Sequence, residues 1–132
     1  MKLNVHHVAF TVKDIKESVS WYEEKLGFTV AHSYSKNGMD IALLEGSGIH
    51  LELISYGNNT EALPEYRTDF MSDIHVVGTK HLCLEVDSLE ESITELKTKG
   101  VEFVTDIDTA AFGGRYIFFT DCNGILIELH QS

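Results

Sequence analysis

The sequence contains one proline, one tryptophan and two cysteines in 132 residues, and it has no apolar run of membrane-spanning length. Cys83 falls in an alternating stretch and Cys122 in the turn-like Asp121-Cys122-Asn123-Gly124, so the two thiols do not form a disulfide framework. They fit a reducing compartment. With no apolar leader ahead of the first strand-like segment, a cytoplasmic protein is expected. Cations are also scarce, with Lys and Arg together numbering 10 against 21 Asp and Glu, for a net charge of −11. That balance argues against nucleic acid, whose phosphates require a basic face, and against an anionic membrane surface. What is present, 43% hydrophobic and 23% charged residues, is ordinary for a soluble globular protein, and the length suits one domain with a real core.

The chain says the same thing twice. His7-Val8-Ala9-Phe10-Thr11-Val12-Lys13-Asp14 returns in altered form as His81-Leu82-Cys83-Leu84-Glu85-Val86-Asp87-Ser88, a histidine and an alternating strand leading to a helix-capping residue. Gly48-Ile49-His50-Leu51-Glu52-Leu53 is likewise echoed by Gly124-Ile125-Leu126-Ile127-Glu128-Leu129. In the first half, Val5 to Val12 reads as a strand, and Asp14 with Glu17 starts a helix whose stripe is Ile15, Val19, Tyr22 and Leu26. Gly27 ends that helix. Phe28 to Tyr34 and Asp40 to Glu45 follow as strands around an Asn37-Gly38 hairpin turn, and Ile49 to Tyr56 is the fourth strand. The second half repeats the plan, with a strand at Lys80 to Val86 and a helix capped by Ser88 and Glu91 carrying Leu89, Ile93 and Leu96. Strands are predicted there over Val101 to Thr105, Tyr116 to Thr120 and Ile125 to His130. The expected organisation is one domain over 1–132, built from βαβββ modules at 4–56 and 79–132. A connector at 57–78 joins them, with a short helical turn around Leu63 to Phe70.

Strand parity singles out four residues. His7 opposes the row Val8, Phe10 and Val12, and Glu52 opposes Ile49, Leu51 and Leu53. His81 opposes Leu82, Leu84 and Val86, and Glu128 opposes Ile125, Ile127 and Leu129. If the helices cover the apolar rows, two imidazoles and two carboxylates project from the opposite face, a donor set for a divalent metal of mixed nitrogen and oxygen character. Carboxylates gathered there need a cation or protons to offset their burial. His6, His32, His50, His75 and His130 have no paired counterpart, although His50 and His130 share the ligand face two residues from a glutamate.

At these residues the sequence resembles the vicinal oxygen chelate superfamily, over nearly the whole chain outside the connector. The resemblance rests on His-Val-Ala-Phe-Thr-Val-Lys-Asp at 7–14, Trp21-Tyr22 with Leu26-Gly27-Phe28, Lys80-His81-Leu82 leading to Val86-Asp87, and Asp121-Cys122-Asn123-Gly124-Ile125-Leu126-Ile127-Glu128-Leu129. It implies an α+β glyoxalase fold, with tandem βαβββ modules forming a curved mixed-sheet cleft, and a homodimer. Glyoxalase I enzymes are similar to this chain in having His, Glu, His and Glu at the four positions. Ring-cleaving dioxygenases and fosfomycin-modifying members use three ligands, bleomycin-binding members generally lack the metal site, and methylmalonyl-CoA epimerases often carry Gln at the position of Glu52. The resemblance therefore implies a metal-dependent lyase or isomerase of the glyoxalase I type, acting on a small molecule or a thiol adduct of one. An epimerase, a non-heme iron dioxygenase and a small-molecule-binding resistance protein are the alternatives.

Both the lyase and the epimerase remove a proton from carbon next to a carbonyl. By resemblance, nickel, cobalt or zinc, with iron or manganese as further choices, stabilises the enediolate. His7 and His81 are then ligands only, and Glu128 and Glu52 are ligands and base candidates. Arg67, Lys80 and Arg115 are cations able to hold a substrate carboxylate or phosphate, and Phe112-Gly113-Gly114 reads as a flap over the cleft. The connector shows no glutathione-binding pattern.

Overall fold

The computed structural model describes the chain throughout, Met1–Ser132, and divides it into two units, Met1–Ala62 and Leu63–Ser132. In the first unit the order is β1 (Val8–Thr11), α1 (Ile15–Leu26), β2 (Thr29–Lys36), β3 (Met39–Gly46) and β4 (Ile49–Ser55). Asp14, in extended conformation, accepts the N–H of Glu17 at 2.8 Å and so starts α1. Gly27 stops it with φ of 73°, a left-handed conformation that only glycine adopts without penalty. The helix lies on β3 and β4. Its buried face is Ser18 and Tyr22, while Ile15, Val19 and Leu26 of the predicted stripe are half-buried. Asn37 and Gly38 both have positive φ, 53° and 79°, as a tight hairpin between β2 and β3 requires.

The strands form a sheet in the order β1-β4-β3-β2, with β1 parallel to β4 and the other pairs antiparallel. The last strand of the unit thus lies between the first and the third. Tyr22, Phe28, Leu44, Leu51 and Leu53 are buried and make the core of this unit. Gly46 is part of that packing. A Cβ placed there would sit 2.8 Å from the buried Phe28 ring. Gly46→Ala is therefore expected to cost about 1–3 kcal/mol through overpacking, read as a fall in the denaturation midpoint; an unchanged midpoint would mean that the ring moves freely.

The second unit opens with a 3₁₀ turn at Glu65–Arg67 and the short helix α2 (Phe70–Asp73). It continues with β5 (Leu82–Glu85), α3 (Leu89–Thr98), β6 (Asp108–Thr109), β7 (Arg115–Thr120) and β8 (Leu126–Gln131). Its sheet runs β5-β8-β7-β6, again with a parallel pair, β5 and β8, and antiparallel neighbours. Ser88 caps α3 by accepting the N–H of Glu91 at 3.3 Å. Leu89, Phe119, Leu126, Ile127 and Leu129 are buried.

The strand predicted over Val101 to Thr105 does not form. Only Phe103 makes a bridge, to Phe119. Although the Val104 N–H donates to the Phe118 carbonyl at 2.9 Å, the Phe118 N–H donates to the Thr105 hydroxyl at 2.9 Å. A side chain thus takes the donor a neighbouring strand would have used, and the ladder breaks. The edge of this sheet is supplied instead by Asp108–Thr109, paired with Tyr116 and Arg115. No helix is long and apolar enough to cross a membrane.

Candidate functional site

The two parallel strand pairs place the predicted ligands in the same register. In the first unit Ala9 pairs with Glu52; in the second Cys83 pairs with Glu128. In each case the histidine, His7 or His81, lies two residues before the paired position and so shares its side of the strand. His7 and His81 immediately precede their strands.

In the second unit the pair is in direct contact. His81 Nε2 lies 2.6 Å from Glu128 Oε2. Phe118, paired with Glu128 on the neighbouring strand, meets the His81 ring edge-on at 4.9 Å. Phe70 of α2 stacks on Phe118 at 4.6 Å and also contacts His81, at 5.9 Å. Glu128 is 8% exposed, so aromatic surface takes the place of water around its carboxylate. A proton or a cation must be shared between the facing nitrogen and oxygen lone pairs. His81 Nδ1 is buried without a partner. A buried carboxylate beside an imidazole nitrogen suits a divalent ion of the zinc or nickel kind.

Cys83, beside Glu128, is pushed up to about 11, first by desolvation, then by the charge of Glu128, by its hydrogen bond to that carboxylate and by Glu85. It therefore stays a thiol at neutral pH and donates to Glu128.

The first unit is more open. His7 is exposed, and its Nδ1 lies 2.8 Å from Nδ1 of His6. The His6 ring stacks on His50 at 6.1 Å, and His50 Nε2 is 3.6 Å from Glu45 Oε2. Glu52 is half-buried. Within neither unit do three His, Cys, Asp or Glu side chains gather as a metal-holding group; each unit offers one His and one Glu.

The other predicted site residues have partners. Lys80 Nζ donates to the Asp73 carbonyl at 2.7 Å, to Asp73 Oδ1 at 3.1 Å and to the Val76 carbonyl. Arg67 donates to the Thr79 carbonyl at 2.7 Å and lies 3.5 Å from Asp73 Oδ1. Arg115 makes a fork to Glu90, at 2.7 and 3.1 Å, and donates to Gln131 Oε1, which also accepts the Leu89 N–H at the start of α3. That fork holds the Glu90 carboxyl below its usual range, the hydrogen bond being the main cause. Phe112 is 84% exposed and tilts over His130 at 5.5 Å.

Sequence reading passed over Asp73, whose side chain is 2% exposed, and Phe70, because the connector has no period to read. Phe118 was open to discovery, since counting the β7–β8 register places it beside Glu128.

Two βαβββ units, each with its last strand inserted parallel to its first, define the glyoxalase class of fold. The model of the Glyoxalase/Bleomycin resistance protein/Dioxygenase superfamily matches residues 4–129, and the chain belongs to that family. Its members are commonly enzymes, typically bind a divalent metal, and are often dimeric. The mitochondrial methylmalonyl-CoA epimerase of Mus musculus is 26% identical over 97% of this chain and 72% of its own length. The uncharacterized protein YwkD of Bacillus subtilis is 29% identical, covering 98% of this chain and 97% of that one. Among solved structures, a glyoxalase family protein from Enterococcus faecalis superposes with a TM-score of 0.81 at 28% identity, over 96% of both chains.

Proposed function

We propose that this protein moves a proton at carbon next to a carbonyl, as glyoxalase I-type lyases and acyl-CoA epimerases do. The observation that carries the reading is the buried His81–Glu128 contact at 2.6 Å, repeated in strand register by His7 and Glu52. The ligand set is His7, Glu52, His81 and Glu128, two donors from each unit, and nickel, cobalt or zinc fits its chemistry. When bound, the ion supplies Lewis acidity to the substrate's oxygens.

Glu128 is the proton-moving carboxylate. Phe118 and Phe70 keep water from its surroundings, so the carboxylate is positioned to exchange a proton with the substrate rather than with solvent. His81 is held edge-on by both rings and keeps Glu128 Oε2 oriented. Glu52, at the matching register of the first unit, is the other base candidate. Arg67, Lys80 and Arg115, already paired within their unit, serve the fold rather than the substrate. A homodimer in a reducing compartment completes the reading.

Two forms of the activity remain distinct. Relatives named methylmalonyl-CoA epimerase support the epimerase, and the retained Glu52 supports the lactoylglutathione lyase. The test is proton exchange in D2O, followed by NMR, on protein stripped of metal and reloaded with nickel, cobalt or zinc. Metal-dependent exchange is expected, with either methylmalonyl-CoA or the methylglyoxal–glutathione hemithioacetal. Stoichiometric metal binding without exchange of either substrate would overturn the assignment.

A further inference from the structure

A cleft of about 500 Å³ in the second unit is lined by Cys83, Glu85, Phe112, Gly114, His130 and Ser132 among others. It continues the face that carries His81 and Glu128. Residues 81, 83 and 85 alternate along one strand and 128, 130 and 132 along its parallel neighbour, with Cys83 opposite Glu128 and Glu85 opposite His130. From Glu128 to Ser132 this run spans about 13 Å at roughly 3.3 Å per residue. A substrate whose reacting carbon lies at Glu128 has its remaining arm directed here.

The side-chain donors of the lining are already engaged. The Cys83 thiol donates to Glu128. The Ser132 hydroxyl donates to Glu85 Oε1. His130 Nε2 lies 3.0 Å from the Gly113 carbonyl, which can only accept, so the Nε2 hydrogen is engaged there. What remains toward a ligand is acceptor capacity at Glu85 and the Ser132 oxygen, with the apolar Phe112 ring beside it. The loop is pressed onto this floor. A Cβ at Gly114, whose φ is +80°, would meet the Gln131 carbonyl at 2.3 Å and the His130 ring at 2.9 Å.

We infer that this cleft binds the non-reacting arm of the substrate and selects an uncharged, donor-bearing arm, such as an amide- or hydroxyl-containing thiol, over an anionic one. The placement of the arm rests on the proposed role of Glu128; the selection rests on the cleft alone. A carboxylate entering here would meet the like charge of Glu85, with the Ser132 hydroxyl and His130 Nε2 already engaged, and like charges brought together disfavour binding.

The test uses two thioesters of the same acyl group, one on N-acetylcysteamine and one on N-acetylcysteine, which differ by a single carboxylate. Each is titrated into the full chain and followed by amide shifts. The neutral thioester is expected to bind about tenfold more tightly, with the largest shifts at Cys83, Gly113, Gly114 and His130, and Glu85→Gln is expected to shrink that ratio. Equal or tighter binding of the N-acetylcysteine thioester, or shifts confined elsewhere, would overturn the inference. The same samples, loaded with metal in D2O, report exchange at the acyl α-carbon. Selective binding without exchange would sink the catalytic reading while upholding the selectivity of the cleft.

Discussion

Glu128→Gln is expected to slow α-proton exchange by about 10²–10⁴-fold, the usual contribution of a positioned general base, while leaving the fold in place. The amide matches the carboxylate in volume and still offers an oxygen to His81 Nε2, so packing against Phe118 is kept. What it cannot do is take up the proton. Because Glu128 is also a proposed ligand, metal content is measured beside exchange: loss of exchange with metal retained assigns the base role, and loss of both assigns the ligand role. Near-normal exchange with metal bound would remove Glu128 as an essential base. Glu52→Gln, measured in the same way, then becomes the informative variant.

Lys80→Met should destabilise the second unit by about 3–5 kcal/mol, because it leaves the buried Asp73 carboxylate without its main partner. The Asp73 side chain is 2% exposed, its Oδ2 has no hydrogen-bond partner, and Arg67 approaches Oδ1 only to 3.5 Å. Lys80 also gathers the Asp73 and Val76 carbonyls, so the methionine leaves those acceptors bare. Adding Asp73→Asn should recover part of the loss, since the buried charge is gone. Urea denaturation of the two single variants and the double variant closes the cycle. A loss below about 1 kcal/mol for Lys80→Met would place this pair with exposed ion pairs, which contribute little. The larger loss would make Lys80 a structural residue that fixes the chain one position before His81.

The helices and turns were legible because single residues carry them. Asp14 and Ser88 cap, Gly27 terminates, and Asn37-Gly38 turns, each where the local chemistry predicts. The apolar alternation of β4 also gave its buried side, with Leu51 and Leu53 at 0% exposure and Glu52 between them half-buried. Val101 to Thr105 misled because alternation reports which side chains can be buried, not whether a partner strand's amides are available. The Thr105 hydroxyl had taken one. Asp108–Thr109 was invisible for the converse reason: both residues are exposed, and backbone pairing alone makes them a strand.

At the candidate site, parity identified the side of the strand on which each histidine and glutamate lies. Parity carries no distance, so it could not distinguish the closed His81–Glu128 contact from the open surroundings of His7. Nor could it say that Arg67, Lys80 and Arg115 were spoken for. Their partners Asp73 and Glu90 lie on other elements, and long cationic side chains reach partners that strand and helix periods do not register.

The parallel pairing within each unit also constrains how the protein is made. A parallel neighbour cannot be reached by a tight hairpin, so the chain travels from His7 to Glu52, and again from His81 to Glu128, through a helix and a meander before the two residues share a face. The strand bearing each glutamate is the last synthesised of its unit and becomes an inner strand of the sheet. A growing chain therefore exposes each histidine long before its glutamate exists. Neither His–Glu pair can be assembled by a local fragment, and loop closure over that span makes each a late event on the folding path. If these residues hold a metal as proposed, its capture reports a finished unit and does not seed one.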